Sequence, residues 1–118
     1  MPFARIFMQG KTADEDETLV IHVHLNPDGS ANRNYPYSGW RSALDESWRW
    51  PVVFDEKGVV DHGWNPDQDE GERYSDMQIY GKPFRTGAKY TMIHRDGKPK
   101  TEYKVISIDI DKEERLIK

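Results

Sequence analysis

Three short motifs constrain this chain more than any other feature: Asn26-Pro27-Asp28-Gly29, Asp55-Glu56-Lys57-Gly58 and Arg95-Asp96-Gly97-Lys98. Each sets a glycine where a tight turn needs a positive φ, and each follows a run rich in apolar or β-branched residues. Three hairpins are the natural reading. The clearest arm is 18–25, where Leu19, Ile21, Val23 and Leu25 alternate with Thr18, Val20, His22 and His24. A period of two gives such a strand one purely apolar face for the core. Residues 3–8 read as a first strand. Residues 51–54 and 59–62 flank the second turn, and 89–95 and 101–110 flank the third, with Ile106, Ile108 and Ile110 on one face of the last arm.

With 32–37 and 74–80 added, seven or eight short antiparallel strands follow at hairpin spacing. The chain is therefore expected to be mainly β, a small antiparallel barrel or sandwich; an α+β roll is the alternative. One short helix is expected near residues 42–48. There Ser42-Ala43-Leu44-Asp45 resembles a capping box with Asp in place of Glu or Gln, and Leu44 and Trp48 stand one helical turn apart. The competing reading is an extended segment with Trp48, Trp50 and Val52 on one side.

The 118 residues suit one domain, 1–118, since no repeat and no Pro-rich or Gly/Ser-rich linker divides them. A chain of this length buries enough surface to fold without a covalent or metal staple. Fourteen aromatic residues argue against disorder, while a mean hydropathy of −0.92 suits small sheets with one wet face. The absence of cysteine removes disulfides, thiolate metal sites and a Cys nucleophile. No apolar run approaches the roughly 20 residues of a membrane span, and a soluble cytoplasmic protein without a membrane role is expected.

Signals for chemistry are sparse. His22 and His24 share one strand face, a spacing that lets two imidazoles hold a metal, with His62, His94 or Asp61 as conceivable third ligands; the plain alternative is a solvated face. Residues 65–71 place oxygen ligands at alternate positions as a calcium loop does, and Asp76 falls at the twelfth place, but the glycine is one position late for an EF-hand. No nucleophile elbow, phosphate-binding glycine loop or zinc-protease motif occurs, so no catalytic residue and no cofactor is expected; an enzyme, the less favoured reading, would need at least two of His22, His24, His62 and His94 to meet. In Asp61-His62 the two side chains should point to opposite faces of a strand.

Charge is distributed unevenly within the net −4. Residues 1–54 hold five basic against seven acidic residues, residues 55–80 two against eight, and residues 81–118 ten against six. The basic third interleaves Lys82, Arg85, Lys89, Arg95, Lys98, Lys100 and Lys104 with Phe84, Tyr90 and Tyr103, a mixture that can track phosphates and stack bases. The overall acidity opposes a polyanion, and lysines also guard strand edges, so nucleic acid is not the expected partner. Every Trp lies between positions 40 and 64, beside the acidic stretch.

These features predict a non-catalytic binding protein, of the small acidic immunity or inhibitor type in composition, that recognises a basic protein partner. Tyr35, Tyr37, Trp40 and Trp64 would supply aromatic anchors, and Asp67, Asp69 and Glu70 the steering charge. The alternative is a small-ligand-binding β-barrel with a Trp- and Tyr-lined cavity, into which His22 or His24 would point if the strand faces were reversed.

Overall fold

The computed structural model describes residues 3–11, 16–63 and 70–111. Eight strands form a closed antiparallel barrel: β1 (Phe3–Lys11), β2 (Asp16–His24), β3 (Tyr37–Ala43), β4 (Arg49–Phe54), β5 (Val59–Asp61), β6 (Tyr74–Asp76), β7 (Lys89–His94) and β8 (Thr101–Asp111). Each strand pairs with its successor, and β8 returns to β1 along almost the whole of both. Closure removes the unpaired edges that an open sheet of these strands would expose, and eight strands enclose a space that side chains can fill. Among the described residues, no helix is long and apolar enough to cross a membrane.

The turn motifs sit as their chemistry requires. Gly58 and Gly97 adopt φ of 87° and 84° in the β4–β5 and β7–β8 turns. Gly29, at φ 88°, makes a local turn after β2, closed by Asn26 N–H donating to Ser30 O at 2.7 Å and by a single Leu25–Ala31 bridge. The path from β2 to β3 is therefore longer than a tight hairpin, and the strand read at 32–37 instead begins at Tyr37.

Alternation fills the barrel. Leu19, Ile21 and Val23 of β2 point inward to meet Ala4, Ile6 and Met8 of β1, with Phe54, Val60 and Met92 across the interior. His22 and His24 point outward, so the reversed-face version of the ligand-barrel reading does not hold.

Two expectations fail for local reasons. No helix forms at 42–48: β3 runs to Ala43, a short loop follows and β4 starts at Arg49. Of the extended reading, Trp50 and Val52 share the inward parity of β4 with Phe54, whereas Trp48 lies in the loop before the strand. The loop is fixed by Glu46 N–H donating to Ala43 O at 2.9 Å and Ala43 N–H donating to Trp48 O at 3.2 Å, with Glu46 in the left-handed region at φ 59°. Likewise, Ile106 does not share a face with Ile108 and Ile110. The register of β8 against β1 shifts between Phe7 and Met8, whose partners are Ser107 and Val105. This bulge inserts Ile106 as an unpaired, exposed residue and reverses the parity, so Tyr103 and Val105 point inward before it and Ile108 after it.

The two ends of the barrel differ. One is plugged by apolar residues from the long connections, including Leu25, Ala31, Ile79 and Phe84, with Phe84 N–H donating to Gly29 O at 3.0 Å. At the other, the inward positions are polar. The four-residue helix α1 (Glu70–Arg73) adjoins this polar end, held by Arg73 donating to both Asp61 carboxylate oxygens at 3.0 and 3.1 Å.

Candidate functional site

Two places on the barrel gather groups that could recognise something. The first lies outside, across β1, β2 and β3. Because β2 turns His22 and His24 outward, their rings join a string of neighbours: Tyr35 packs on His24 with 4.5 Å between ring centroids, His24 on Phe3 at 5.0 Å, Phe3 on His22 at 6.0 Å and His22 on Trp40 at 5.8 Å. Arg5 Nε donates to His22 Nε2 at 3.0 Å. Partial burial, and then the Arg5 cation, hold the His22 pKa below its ordinary value, which favours the neutral acceptor ring.

Trp40 links this stripe to a groove of about 300 Å3. Val20 and Ser42 face outward by alternation yet are only 2% and 3% exposed, so they form a floor rather than a wet surface. Phe7 and Leu44 add apolar walls, and Asp45 and Glu46 place carboxylates on the rim. The Asp45 carboxylate accepts the Ser47 backbone N–H at 2.9 Å, and that bond keeps its pKa below the usual carboxylate range. Glu46 pairs with Arg49 at 2.6 Å, and the Arg49 guanidinium lies 5.2 Å over the Trp40 ring.

The second place is the polar end of the interior. Glu17 continues the inward parity of Leu19 and is buried with Arg41 and Tyr103. Arg41 Nη2 donates to both Glu17 oxygens at 3.1 and 3.0 Å, and the Tyr103 hydroxyl donates to Glu17 Oε1. Burial pushes the Tyr103 pKa far up, so the phenol keeps the proton it donates. Burial also works against the Arg41 charge, but the Tyr103 and Glu17 oxygens more than offset it. Beside this triad, Ser75 Oγ lies 2.9 Å from His62 Nε2 and 3.1 Å from His94 Nδ1, and His94 Nε2 lies 2.8 Å from Thr101 Oγ1. Trp48 and Trp50 stand at 5.8 and 6.0 Å from the Arg41 guanidinium.

Burial, with the Arg41 cation next in weight, lowers the His62 pKa to about 4. In the unfolded chain it returns to 6.5. Between these values the unfolded state binds the extra proton, so the contribution is complete above pH 6.5 and is lost as pH falls to about 4. The gap corresponds to roughly 3 kcal/mol. Urea unfolding at pH 7 and pH 4.5 should therefore show a drop that is smaller in a His62→Phe variant, which keeps only the parts due to groups such as His94 and His22; an identical drop in both proteins would contradict the buried neutral imidazole.

The expected site residues are dispersed. Tyr35 and Trp40 belong to the outer stripe. Tyr37 does not: it is 2% exposed, with its hydroxyl donating to the His24 carbonyl at 3.1 Å and to that of Asn32, so it packs in the core instead of anchoring a partner. Trp64, Asp67 and Asp69 lie outside the described residues, and Glu70 opens α1. Of the calcium-loop reading, residues 65–69 lie outside as well, while Asp76 is engaged by Arg95 at 2.8 and 2.9 Å. His22 and His24 share a face, but among the described residues no group of three His, Asp or Glu is placed to hold a metal. Phe84, Tyr90 and Tyr103 are buried in the core and offer no base-stacking platform. Sequence reasoning missed Arg41, Glu17 and Ser75; the shared parity of Glu17 and Leu19 was the available signal. No protein-family model, curated protein or solved structure matches the chain.

Proposed function

We propose that the protein is a non-catalytic binding module that recognises a basic protein partner through the groove between Trp40 and the 44–46 loop. The observation that carries this reading is a groove with apolar walls over a floor of Val20 and Ser42, with two carboxylates on its rim. A Lys or Arg side chain has the matching form, an apolar stem that can lie on Phe7, Val20 and Leu44 and a charged head that can meet Asp45 and Glu46. Arg49 supports it from within the chain, since its guanidinium already sits on Trp40 and Glu46 as an incoming cation would. Tyr35 and Phe3 extend the contact with rigid rings that lose little entropy on binding. The net −4, with Asp67, Asp69 and Glu70 in its most acidic stretch, favours encounter with a basic surface of the kind an immunity or inhibitor-type protein meets.

The test uses a fluorescein-labelled Lys-Gly repeat peptide at low salt. Fluorescence anisotropy should show saturable binding that weakens as salt is added and falls at least tenfold in Asp45→Lys/Glu46→Lys. Equal affinity for a Glu-Gly repeat peptide, or no change in the charge-reversed variant, would reject the groove as the recognition site.

A further inference from the structure

We propose that the polar end of the barrel is a second binding site, taking a small, neutral, planar molecule with a carbonyl oxygen on its edge in the place of the Trp50 indole. It shares no residue with the outer groove and does not depend on the protein-partner reading.

Arg41 and His62 are 8% and 6% exposed, and Arg41 Nε and His62 Nδ1 have no hydrogen-bond partner among the described residues. Buried polar groups are nearly always paired, and two orphans beside an otherwise satisfied network leave room for a partner beyond the described residues. Both flank the same side chain: the Trp50 ring lies 6.0 Å from the Arg41 guanidinium and 6.4 Å from the His62 ring. Trp50 is also 39% exposed, so it covers these groups while itself reaching solvent. A planar ring entering as the indole swings out would keep the stacking surface that Arg41 already uses. It would add the acceptor that Arg41 Nε–H lacks.

Charge selects the ligand class. Glu17 and Arg41 cancel, and the imidazoles of His62 and His94 are held neutral. An anionic ligand would bring an uncompensated buried charge close to Glu17, and a cation would meet Arg41, so a neutral molecule is favoured. The His62–Ser75–His94–Thr101 chain explains why the second contact need not be fixed. Each hydroxyl carries one proton and each neutral ring one N–H, so the chain can run in either direction. In one, His62 Nε2–H donates to Ser75, which donates to His94, and His62 Nδ1 is an acceptor. In the other, Thr101 donates to His94, His94 to Ser75 and Ser75 to His62, and Nδ1 carries the proton. The site can thus accept from or donate to the group beside the carbonyl.

Benzamide and benzoate make a matched pair of probes, equal in size and different in charge. Titration followed by the Trp50 indole and His62 imidazole NMR signals should show saturable shifts with benzamide, with Kd on the order of 1 mM for so small a ligand, and at least tenfold weaker binding of benzoate. Arg41→Lys, which keeps the charge opposite Glu17 but has no Nε–H, should weaken benzamide about tenfold. Trp50→Ala, altered at a half-exposed ring and so independent of whether Arg41→Lys folds, should tighten it several-fold by removing the cover. Benzoate binding as well as benzamide, no saturable shift in either signal, or loss of binding in Trp50→Ala would each overturn the proposal.

Discussion

Arg41→Ala is expected to lower the unfolding free energy by about 3–5 kcal/mol, because it leaves the Glu17 carboxylate buried without its cation. Glu17 is 1% exposed and receives both Arg41 Nη2 bonds and the Tyr103 hydroxyl, so truncating Arg41 removes its only ion pair among the described residues. For a domain of this size the loss corresponds to a fall in Tm on the order of 15 °C or more. The same physics predicts the opposite for a concerted change. Glu17→Leu/Arg41→Met/Tyr103→Phe removes every member of the triad at similar volume, leaves no charge unpaired, and should stay within about 2 kcal/mol of the wild type. Thermal unfolding of both variants is the check. A cost below about 1 kcal/mol for Arg41→Ala, or a triple variant worse than the single one, would mean that the triad does not hold the polar end together.

Gly39→Ala is expected to be at least as damaging, at about 4 kcal/mol or more. A Cβ at position 39 would lie 1.8 Å from the Val20 carbonyl oxygen and 2.8 Å from the Ile21 Cα. These are backbone atoms of the paired strand and cannot rotate away, so β2 and β3 would have to separate where Ile21 pairs with Gly39. A glycine inside a strand commonly marks such an approach. Arg41 is two residues farther along β3, so the displacement would also disturb its pairing with Glu17. Ser38→Ala, on the exposed neighbouring position, is the control and should be nearly neutral in urea denaturation. If Gly39→Ala unfolded within about 1 kcal/mol of Ser38→Ala, the close approach of the two strands would be refuted.

What could be read in the sequence follows from the range of the interaction involved. Turn chemistry is local, so Gly58 and Gly97 marked two hairpins, and the alternation around Leu19, Ile21 and Val23 identified the inner face of β2. Glu17 was legible in principle, since it shares that parity, but an acidic residue at the end of an acidic run reads as solvent-facing unless its partner is known. That partner, Arg41, lies 24 residues away, and the Tyr103 hydroxyl comes from the other side of the barrel closure. The bulge beside Ile106 escaped for a similar reason: it is a property of the β1–β8 register, and the alternating isoleucines disguised it. At 42–48 a weak cap and one i, i+4 pair suggested a helix, but the chain favoured extending β3 and β4 to complete the barrel. Of the candidate site, Tyr35 and Trp40 were legible as loop aromatics, Tyr35 being exposed and Trp40 half-buried, whereas the groove depends on how a left-handed Glu46 brings the 44–46 carboxylates beside Trp40.

On our proposal this groove receives the basic side chain of a protein partner. The most direct measurement is an amide and indole NMR map of the protein titrated with the Lys-Gly repeat peptide. Saturating shifts should concentrate at Phe7, Val20, Leu44 and the Trp40 indole, leave Trp50 and His62 in place, and vanish in Asp45→Lys/Glu46→Lys. Shifts that spare Trp40 and Leu44, or that persist unchanged in the charge-reversed protein, would contradict it.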